Sequence, residues 1–489
     1  MPPRNDERQP LLNGHSHNQQ DERHDKQKVA FDEDDEDNPC NWPTSRKWSQ
    51  VLQITIIAFL CPASSSIVAP AASEIQESLG VSDKRLILAG QSGFVCMLGL
   101  GPLLLAPLSE TFGRRPIFLT NLAIFTLLQV PIAMAPEVYS WIVLRTLSGF
   151  FGSVGVANGG GSISDMFETH ERAKVLGIYL LAPLLGPSIG PMVGGIMVGS
   201  VQWRWIFWLV FAVAVVVLGG CYFCLHETRA VTILQKRKKE LEKKEDGTEW
   251  YIEGDTAGQS LMAKVAGNST RAVKILATQP IVLTMSLYQA LVFSSMYSLY
   301  ASYTSIWSAP PYNFSKTQVG LAYLGPALGF IITSFFIVFF IDRLYNWLAE
   351  RNDDDGQPEY RLPMANVGAV LLPISLFWFG WTVEMALYWP IPLAATLLFG
   401  ASQVSIFNTV QTYYIDAYES NAASALAAGA FLRSMFGGII PLLVGGLFDQ
   451  LGYGWGMSVF GFISLALMPA PLLFYYFGRR IRERFPFKG

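Results

Sequence analysis

The run from Asp165-Met166-Phe167-Glu168-Thr169 to Val193-Gly194-Gly195 recurs later in the same chain. Displaced by 251 residues, Asp165 falls on Asp416, Phe167 on Tyr418, Glu168 on Glu419 and Thr169 on Ser420. Further along, Gly186 falls on Gly437, Val193 on Val444, Gly194 on Gly445 and Gly195 on Gly446, without a gap. A second, gapped pairing sets Gln91-Ser92-Gly93 against Gln318-Val319-Gly320. Two homologous halves in the same orientation are the simplest account, and such parallel repeats place a binding site between the halves near mid-membrane.

The surroundings of the repeat say which solvent it lives in. The chain has 489 residues, 51% of them hydrophobic, a mean hydropathy of +0.31 and only 15% charged. Of its 73 Lys, Arg, Asp and Glu residues, all but 22 lie in four islands, at 1–50, 226–280, 342–361 and 478–489. The rest of the chain is about 6% charged, against ~25% in an ordinary soluble domain. About 20 apolar residues cross a hydrocarbon core. Twelve such runs occur, near Val51–Ala72, Leu86–Leu108, Pro116–Ala135, Val138–Ile163, Ala173–Val198 and Trp205–Leu225, then Ile281–Ile306, Val319–Ile341, Ala365–Val383, Tyr388–Tyr414, Ala422–Phe448 and Trp455–Phe477. The expected organisation is an all-α membrane protein of twelve transmembrane helices in two six-helix repeats. Residues 1–50 form a disordered cytoplasmic tail, 51–225 the first bundle, 226–280 a cytoplasmic central loop, 281–477 the second bundle and 478–489 a cytoplasmic tail.

Loop cations set the orientation. With the N-terminus inside, the short inner loops and the C-terminal tail hold Arg114, Arg115, Arg172, Lys174, Arg343, Arg351, Arg361, Arg479, Arg480, Arg482, Arg484 and Lys488. The outer loops hold only Lys84, Arg85, Arg204 and Lys316. Both termini are therefore expected in the cytoplasm. The run Asp32 to Asp37 reads as solvated acid. Lys236 to Lys239 reads either as solvated helix or as a contact with anionic inner-leaflet lipid. A net charge of −3 argues against a nucleic-acid partner. The five cysteines fall mainly in apolar runs and make no disulfide framework, and Cys221 and Cys224 read as small packing residues of a membrane helix. No metal site and no GxxxxGK phosphate loop is apparent, so neither ATP nor another cofactor is the expected driver. Asn313-Phe314-Ser315 is a glycosylation sequon expected outside, close to the membrane.

Several motifs sharpen this reading. Asn38-Pro39-Cys40-Asn41-Trp42 precedes the first run, with Lys47-Trp48 following. Pro107-Leu108-Ser109-Glu110-Thr111-Phe112-Gly113-Arg114-Arg115-Pro116 joins runs two and three, with Ala106 and Thr111 departing from the general pattern. Arg145-Thr146-Leu147-Ser148-Gly149 lies in run four, and Gly186-Pro187-Ser188-Ile189-Gly190-Pro191-Met192-Val193-Gly194-Gly195 in run five. Trp203 to Phe207 opens run six, and Pro358-Glu359-Tyr360-Arg361-Leu362 precedes run nine. From Asn38 onward the chain resembles the major facilitator superfamily, and within it the fungal twelve-span drug:H+ antiporters. The resemblance implies the major facilitator fold, alternating access and a role for Arg145 in coupling proton movement to substrate binding. It also associates Gly186, Pro187, Gly190, Pro191, Gly194 and Gly195 with antiport.

The residues themselves carry part of this. A guanidinium within a span is costly and keeps its charge, so Arg145 must face a wet cavity or a partner, or else snorkel to the outer leaflet as a structural residue. Arg433 invites the same argument. Glu110, Gly113, Arg114, Arg115 and Asp165 gather at the cytoplasmic ends of runs two to four. An ion pair of Asp165 with Arg114 or Arg115 is expected to close the inner side while the cavity faces out. Asp342, Arg343 and Asp416 are expected to repeat that gate in the second half; plain topology charge is the alternative. Gly186, Gly190 and Gly194 share one helix face, suited to close packing, and Pro187 and Pro191 permit bending. Polar and aromatic candidates for the cavity are Gln91, Asn158, Tyr288, Gln289, Asn408, Gln411, Tyr413 and Arg433, each of them also a plausible helix-to-helix hydrogen-bonding group. No acid stands clearly at mid-membrane, so the proton carrier is left open.

The expected function is a monomeric, proton-coupled exporter of amphipathic organic small molecules in the lipid bilayer of a fungal plasma membrane, and not an enzyme. Drugs, toxins and secondary metabolites are the substrates the resemblance suggests. A proton-coupled importer or facilitator of a nutrient or polyamine, or a non-transporting receptor on the same fold, are the rival readings, because fold does not fix function.

Overall fold

The computed structural model describes residues 26–243, 249–252, 261–352, 356–418 and 422–487. Spans one to six are built on helices Thr44–Ser66, Lys84–Phe112, Arg114–Ala133, Val138–Gly152 continued by Val154–Met166, Thr169–Val198 and Arg204–Cys224. Spans seven to ten are Pro280–Ser308, Lys316–Ala322 continued by Leu324–Asn352, Pro363–Glu384 and Pro390–Ala417. The last continuous apolar stretch, Ser424–Arg484, runs 61 residues. At ~1.5 Å per residue that is about three membrane thicknesses. Gly452 resolves it: its backbone has φ 73° and ψ 174°, a left-handed φ that glycine adopts freely. The rings of Phe448 and Tyr453 pack 5.4 Å apart across this turn. The stretch therefore holds spans eleven and twelve, and among the described residues the eleven apolar stretches make twelve crossings.

Each half has its own core. Phe94, Phe118, Phe125, Trp141 and Ile206 are buried in the first, and Tyr300, Tyr303, Tyr323, Phe330 and Tyr413 in the second. Large apolar side chains such as Val216, Phe223, Phe335, Phe339 and Leu443 face outward, as a lipid-facing surface requires.

The halves meet at the end away from the tail and central loop, the expected outer side. Lys316 pairs with Glu74, Thr304 Oγ1 donates to the Ala69 carbonyl at 3.3 Å, and Gly195 of span five abuts Gly320 of span eight. Nearer mid-depth, the hydroxyls of Ser188 and Tyr300 lie 2.5 Å apart and those of Ser65 and Tyr297 3.3 Å apart.

The tail and central loop depart from expectation. Strand β1, Lys26–Lys28, pairs in parallel with β2, Glu249–Tyr251. Val29, Leu234 and Ile252 are buried together, with Phe31, Leu241 and Trp250 around them. Arg237 of helix Ala230–Glu242 reaches Asp35 at 2.5 Å and Asp37 at 3.6 Å. From residue 26 onward the tail is thus ordered, not disordered: two apolar anchors and one arginine give the acidic run a partner. The first turns of span one also begin at Thr44, inside the segment read as tail. A second loop helix, Leu261–Thr278, lies against spans two and eleven, one from each half.

Candidate functional site

At the end of the first half beside the tail and central loop, the inner end of the expected orientation, span two ends at Gly113 and span three begins at Arg114. Gly113 has φ +97°, which a side chain would strain. Glu227, just past span six, caps the new helix: its carboxylate accepts from the backbone N–H of Arg114 at 2.9 Å and of Arg115 at 3.0 Å. These are among the orphan donors at a helix N-terminus, where a carboxylate also meets the favourable end of the dipole. Fixed there, Arg114 donates from Nε to Asp165 Oδ2 at 3.2 Å and from Nη1 to Ser109 Oγ at 2.6 Å. Ser109 passes the contact to Asn158 Oδ1 at 2.8 Å. Thr228 Oγ1 donates to Asp165 at 3.4 Å. Burial lowers the pKa of Arg229 beside this cluster, Arg114 adds to that, and Glu110, Asp165 and Glu227 oppose it.

The expected pair of Arg114 with Asp165 is present, whereas Arg115 turns away and donates to the Tyr222 carbonyl at 2.9 Å. The pair lies entirely within the first half. It is formed in a structure whose outer side is bridged, so it does not by itself join the two halves or mark an outward-facing state. Asn158, expected in the cavity, belongs to this inner cluster. Glu227 was not among the expected residues; its only trace in sequence is a lone acid directly after a span.

The second half repeats the design with different residues. Arg361 Nε donates to Asp416 Oδ2 at 2.9 Å, and its guanidinium lies 4.4 Å from the Tyr345 ring centre. Arg482 grips Glu359 with two bonds, 2.8 and 2.9 Å long. Glu359 is only 2% exposed. The partner of Asp416 is therefore Arg361 and not Arg343, which is exposed on the long inner end of span eight. The Asp342 side chain lies outside the described residues. The reason is geometric: the short turn Pro358–Arg361 folds back under span ten, while span eight runs on past residue 343 to Asn352.

Arg145 is completely buried. Span one breaks at Ser66, leaving its last carbonyls without helical donors. Arg145 supplies two, from Nη1 to Ser64 O and from Nη2 to Ser65 O, each at 2.9 Å. Its guanidinium also lies 4.7 Å from the Phe94 ring centre. Arg145 thus neither snorkels nor lines water: it caps the negative end of a broken helix with a charge. Alongside, span five presses its glycine face onto span one. A Cβ on Gly186 would lie 2.8 Å from Ala63 N, on Gly190 2.3 Å from Ala63 O, and on Gly194 2.0 Å from Ile67 O. Pro191 has no N–H, which frees the carbonyl of Pro187. Ser66 Oγ donates to that carbonyl at 2.9 Å.

The remaining cavity candidates divide. Tyr288 points into its own bundle, toward the Ala369 carbonyl at 3.4 Å. Tyr413 is fully buried near Glu359 and Arg482, toward the inner face. Gln91 is buried on span two. Gln289, Asn408 and Arg433 remain at mid-depth, on spans seven, ten and eleven, with Gln411 buried nearer the end of span ten. Asn313 is exposed, with φ 48°, in the loop before span eight.

Twelve crossings in two repeated halves, with charge clusters at the inner ends and polar groups held at mid-depth, define a membrane transporter. The Major Facilitator Superfamily profile matches residues 54–441. The chain is 38% identical over 449 residues to the efflux pump vrtL of Penicillium aethiopicum, covering 92% of this chain and 88% of that protein. It is 36% identical over 448 residues to the MFS transporter cpaT of Aspergillus oryzae, covering 91% and 89%. It is 34% identical over 468 residues to the uncharacterized transporter mfc1 of Schizosaccharomyces pombe, covering 93% and 94%. Among solved structures, the proton:xylose symporter XylE shares the fold at a TM-score of 0.63 and 16% identity, covering 89% of this chain and 96% of that one. The chain belongs to the major facilitator superfamily, and it is a transporter rather than an enzyme.

Proposed function

We propose that this chain exports amphipathic organic compounds across a fungal plasma membrane in exchange for protons, as a monomer with both termini in the cytoplasm. The observation that carries the reading is the glycine face of span five closed on the backbone of span one and, at Gly195, on Gly320 of span eight. Backbone-to-backbone contact leaves no room for a water file, and an exporter working against a gradient needs an outer seal tight to protons. Relatives named efflux pumps support the direction. The two halves rock about the mid-depth polar groups, opening this seal in one state and the inner mouth in the other. Arg145 serves as a positioning residue that keeps the broken end of span one attached to span four while the seal moves. The inner clusters around Asp165 and Asp416 hold each half rigid at its cytoplasmic end.

The test is accumulation of a fluorescent amphipathic dye in a yeast strain stripped of its own pumps. Expression lowers the cellular dye level, and a protonophore removes the effect. Raised accumulation on expression means import, and an unchanged level means no transport of that class; either result contradicts the proposal.

A further inference from the structure

Arg433 lies 11 residues into the helix that begins at Ala422, about 16 Å along at ~1.5 Å per residue. That is the middle of a hydrocarbon core of ~30 Å. The side chain is 6% exposed, and Nη1 has no hydrogen-bond partner. The ionisable groups that act on it among the described residues are three phenols, Tyr414, Tyr179 and Tyr297, and no carboxylate. Those phenols are engaged elsewhere. Tyr179 donates to Gly155 O at 2.8 Å, Tyr414 to Val282 O at 3.0 Å, and Tyr297 meets the Ser65 hydroxyl. This is a buried positive charge without a counter-ion and with Nη1 unpartnered, whereas both Nη atoms of Arg145 are bonded to carbonyls.

Its neighbours are also unfinished. Gly429 and Gly437, one turn either side, face Gln289 and Tyr297 of span seven, so Arg433 looks onto the same stretch of that span. Both amide atoms of Gln289 and both of Asn408 are buried without partners, as is Gln411 Oε1. Two rings flank the charge: Phe407 and Phe293 have centres 5.0 and 5.3 Å from the guanidinium carbon. On the other side Ser434 and Ala430 touch Gly99 of span two, so the group sits where the halves meet.

A buried charge and a cluster of unpaired amides cost stability unless something completes them. Water satisfies amides but brings no charge. We infer that Arg433 is the anchor of an organic-anion site: the transported molecule presents a planar acidic group, a carboxylate or an ionised acidic phenol, to the guanidinium. Its aromatic body lies along the contacting ring pair Phe293 and Phe407, whose centres are 5.9 Å apart, and its remaining polar atoms meet Gln289 and Asn408. Guanidinium binds such planar anions with two parallel bonds. The same charge excludes amines and polyamines. The inference rests on the transport reading above for calling this a transport site.

The test uses the purified full chain in detergent and three probes with one ring system: 2-naphthoate, 2-naphthylmethanol and 2-naphthylmethylammonium. Calorimetry is expected to show naphthoate binding at least about tenfold tighter than the alcohol, the gain of one charged, paired contact, with the ammonium weakest. Arg433→Gln brings naphthoate to the level of the alcohol, and Arg433→Lys keeps part of the preference. Arg433→Gln also raises the melting temperature of the ligand-free protein, because it removes an uncompensated charge, and naphthoate no longer stabilises it. Equal binding of acid and alcohol, a preference that survives Arg433→Gln, no binding of any probe, or a lowered melting temperature in Arg433→Gln each overturns the inference. The outcomes separate from those of the export reading: dye export with no anion preference removes this inference alone, and anion binding without export removes that reading alone.

Discussion

Arg145 and Arg433 are chemically identical and differ in what surrounds them. Arg145 satisfies two carbonyls that the break in span one orphans, so its role needs a planar fork and not merely a charge. Arg145→Lys is expected to keep the charge, lose one of the two bonds, lower stability by about 1.5–3 kcal/mol and reduce export; a thermal melt and a dye-efflux rate measure the two. In the inner cluster, Asp165→Asn leaves Arg114, itself 8% exposed, facing a neutral amide. The expected cost is again about 1.5–3 kcal/mol, with export falling further than the amount of folded protein, which fluorescence-detected size-exclusion reads. Normal export by this variant contradicts a role for the pair. Arg145, Arg114 and Asp165 were legible in sequence, because charge inside or beside an apolar run is conspicuous. Glu227, Arg361 and the pair of Glu359 with Arg482 were not legible as partners. The choice of Arg361 over Arg343 depends on where a short turn folds, and Glu227 caps a helix that begins 113 residues earlier.

At the scale of elements, the repeat is a matter of sequence more than of packing. Gly194 and Gly445 correspond, yet a Cβ on Gly194 collides with Ile67 O and one on Gly445 meets nothing within 4 Å. Gly194→Ala is therefore expected to push spans one and five apart and to impair folding or export, whereas Gly445→Ala leaves both within error; melting temperatures of the two purified variants decide it. Sequence periodicity put Gly186, Gly190 and Gly194 on one face but did not say that span one fills it. The clip between tail and loop offers a second prediction. Arg237 holds the Asp35 carboxyl below its ordinary range, chiefly through their hydrogen bond. A depressed carboxylate contributes stability above its unfolded pKa and loses it as pH falls through the folded value. Protease sensitivity of the N-terminal tail is thus expected to be low at neutral pH, to rise only below the usual carboxylate range, and to be high at all pH values in Arg237→Ala. Composition hid this element, because an acidic run of six residues reads as solvated unless its partner across the loop is known.

For the whole molecule, the count of twelve crossings and the six-plus-six repeat were legible, since each is written in hydropathy or in direct sequence matches, whereas the charge clusters were legible only in part, the second half's partners being misassigned. The state of the molecule was not, because bridges such as Glu74 with Lys316 join residues 242 positions apart. Those bridges make the central claim testable: the outer seal must open for cargo to leave. In a variant lacking the five native cysteines, Glu74→Cys and Lys316→Cys are joined by a short reducible bis-thiosulfonate linker, and dye efflux is followed before and after reduction. The account predicts that efflux stops when the linker is in place and returns when it is reduced. Efflux at the uncrosslinked rate by fully crosslinked protein would contradict it.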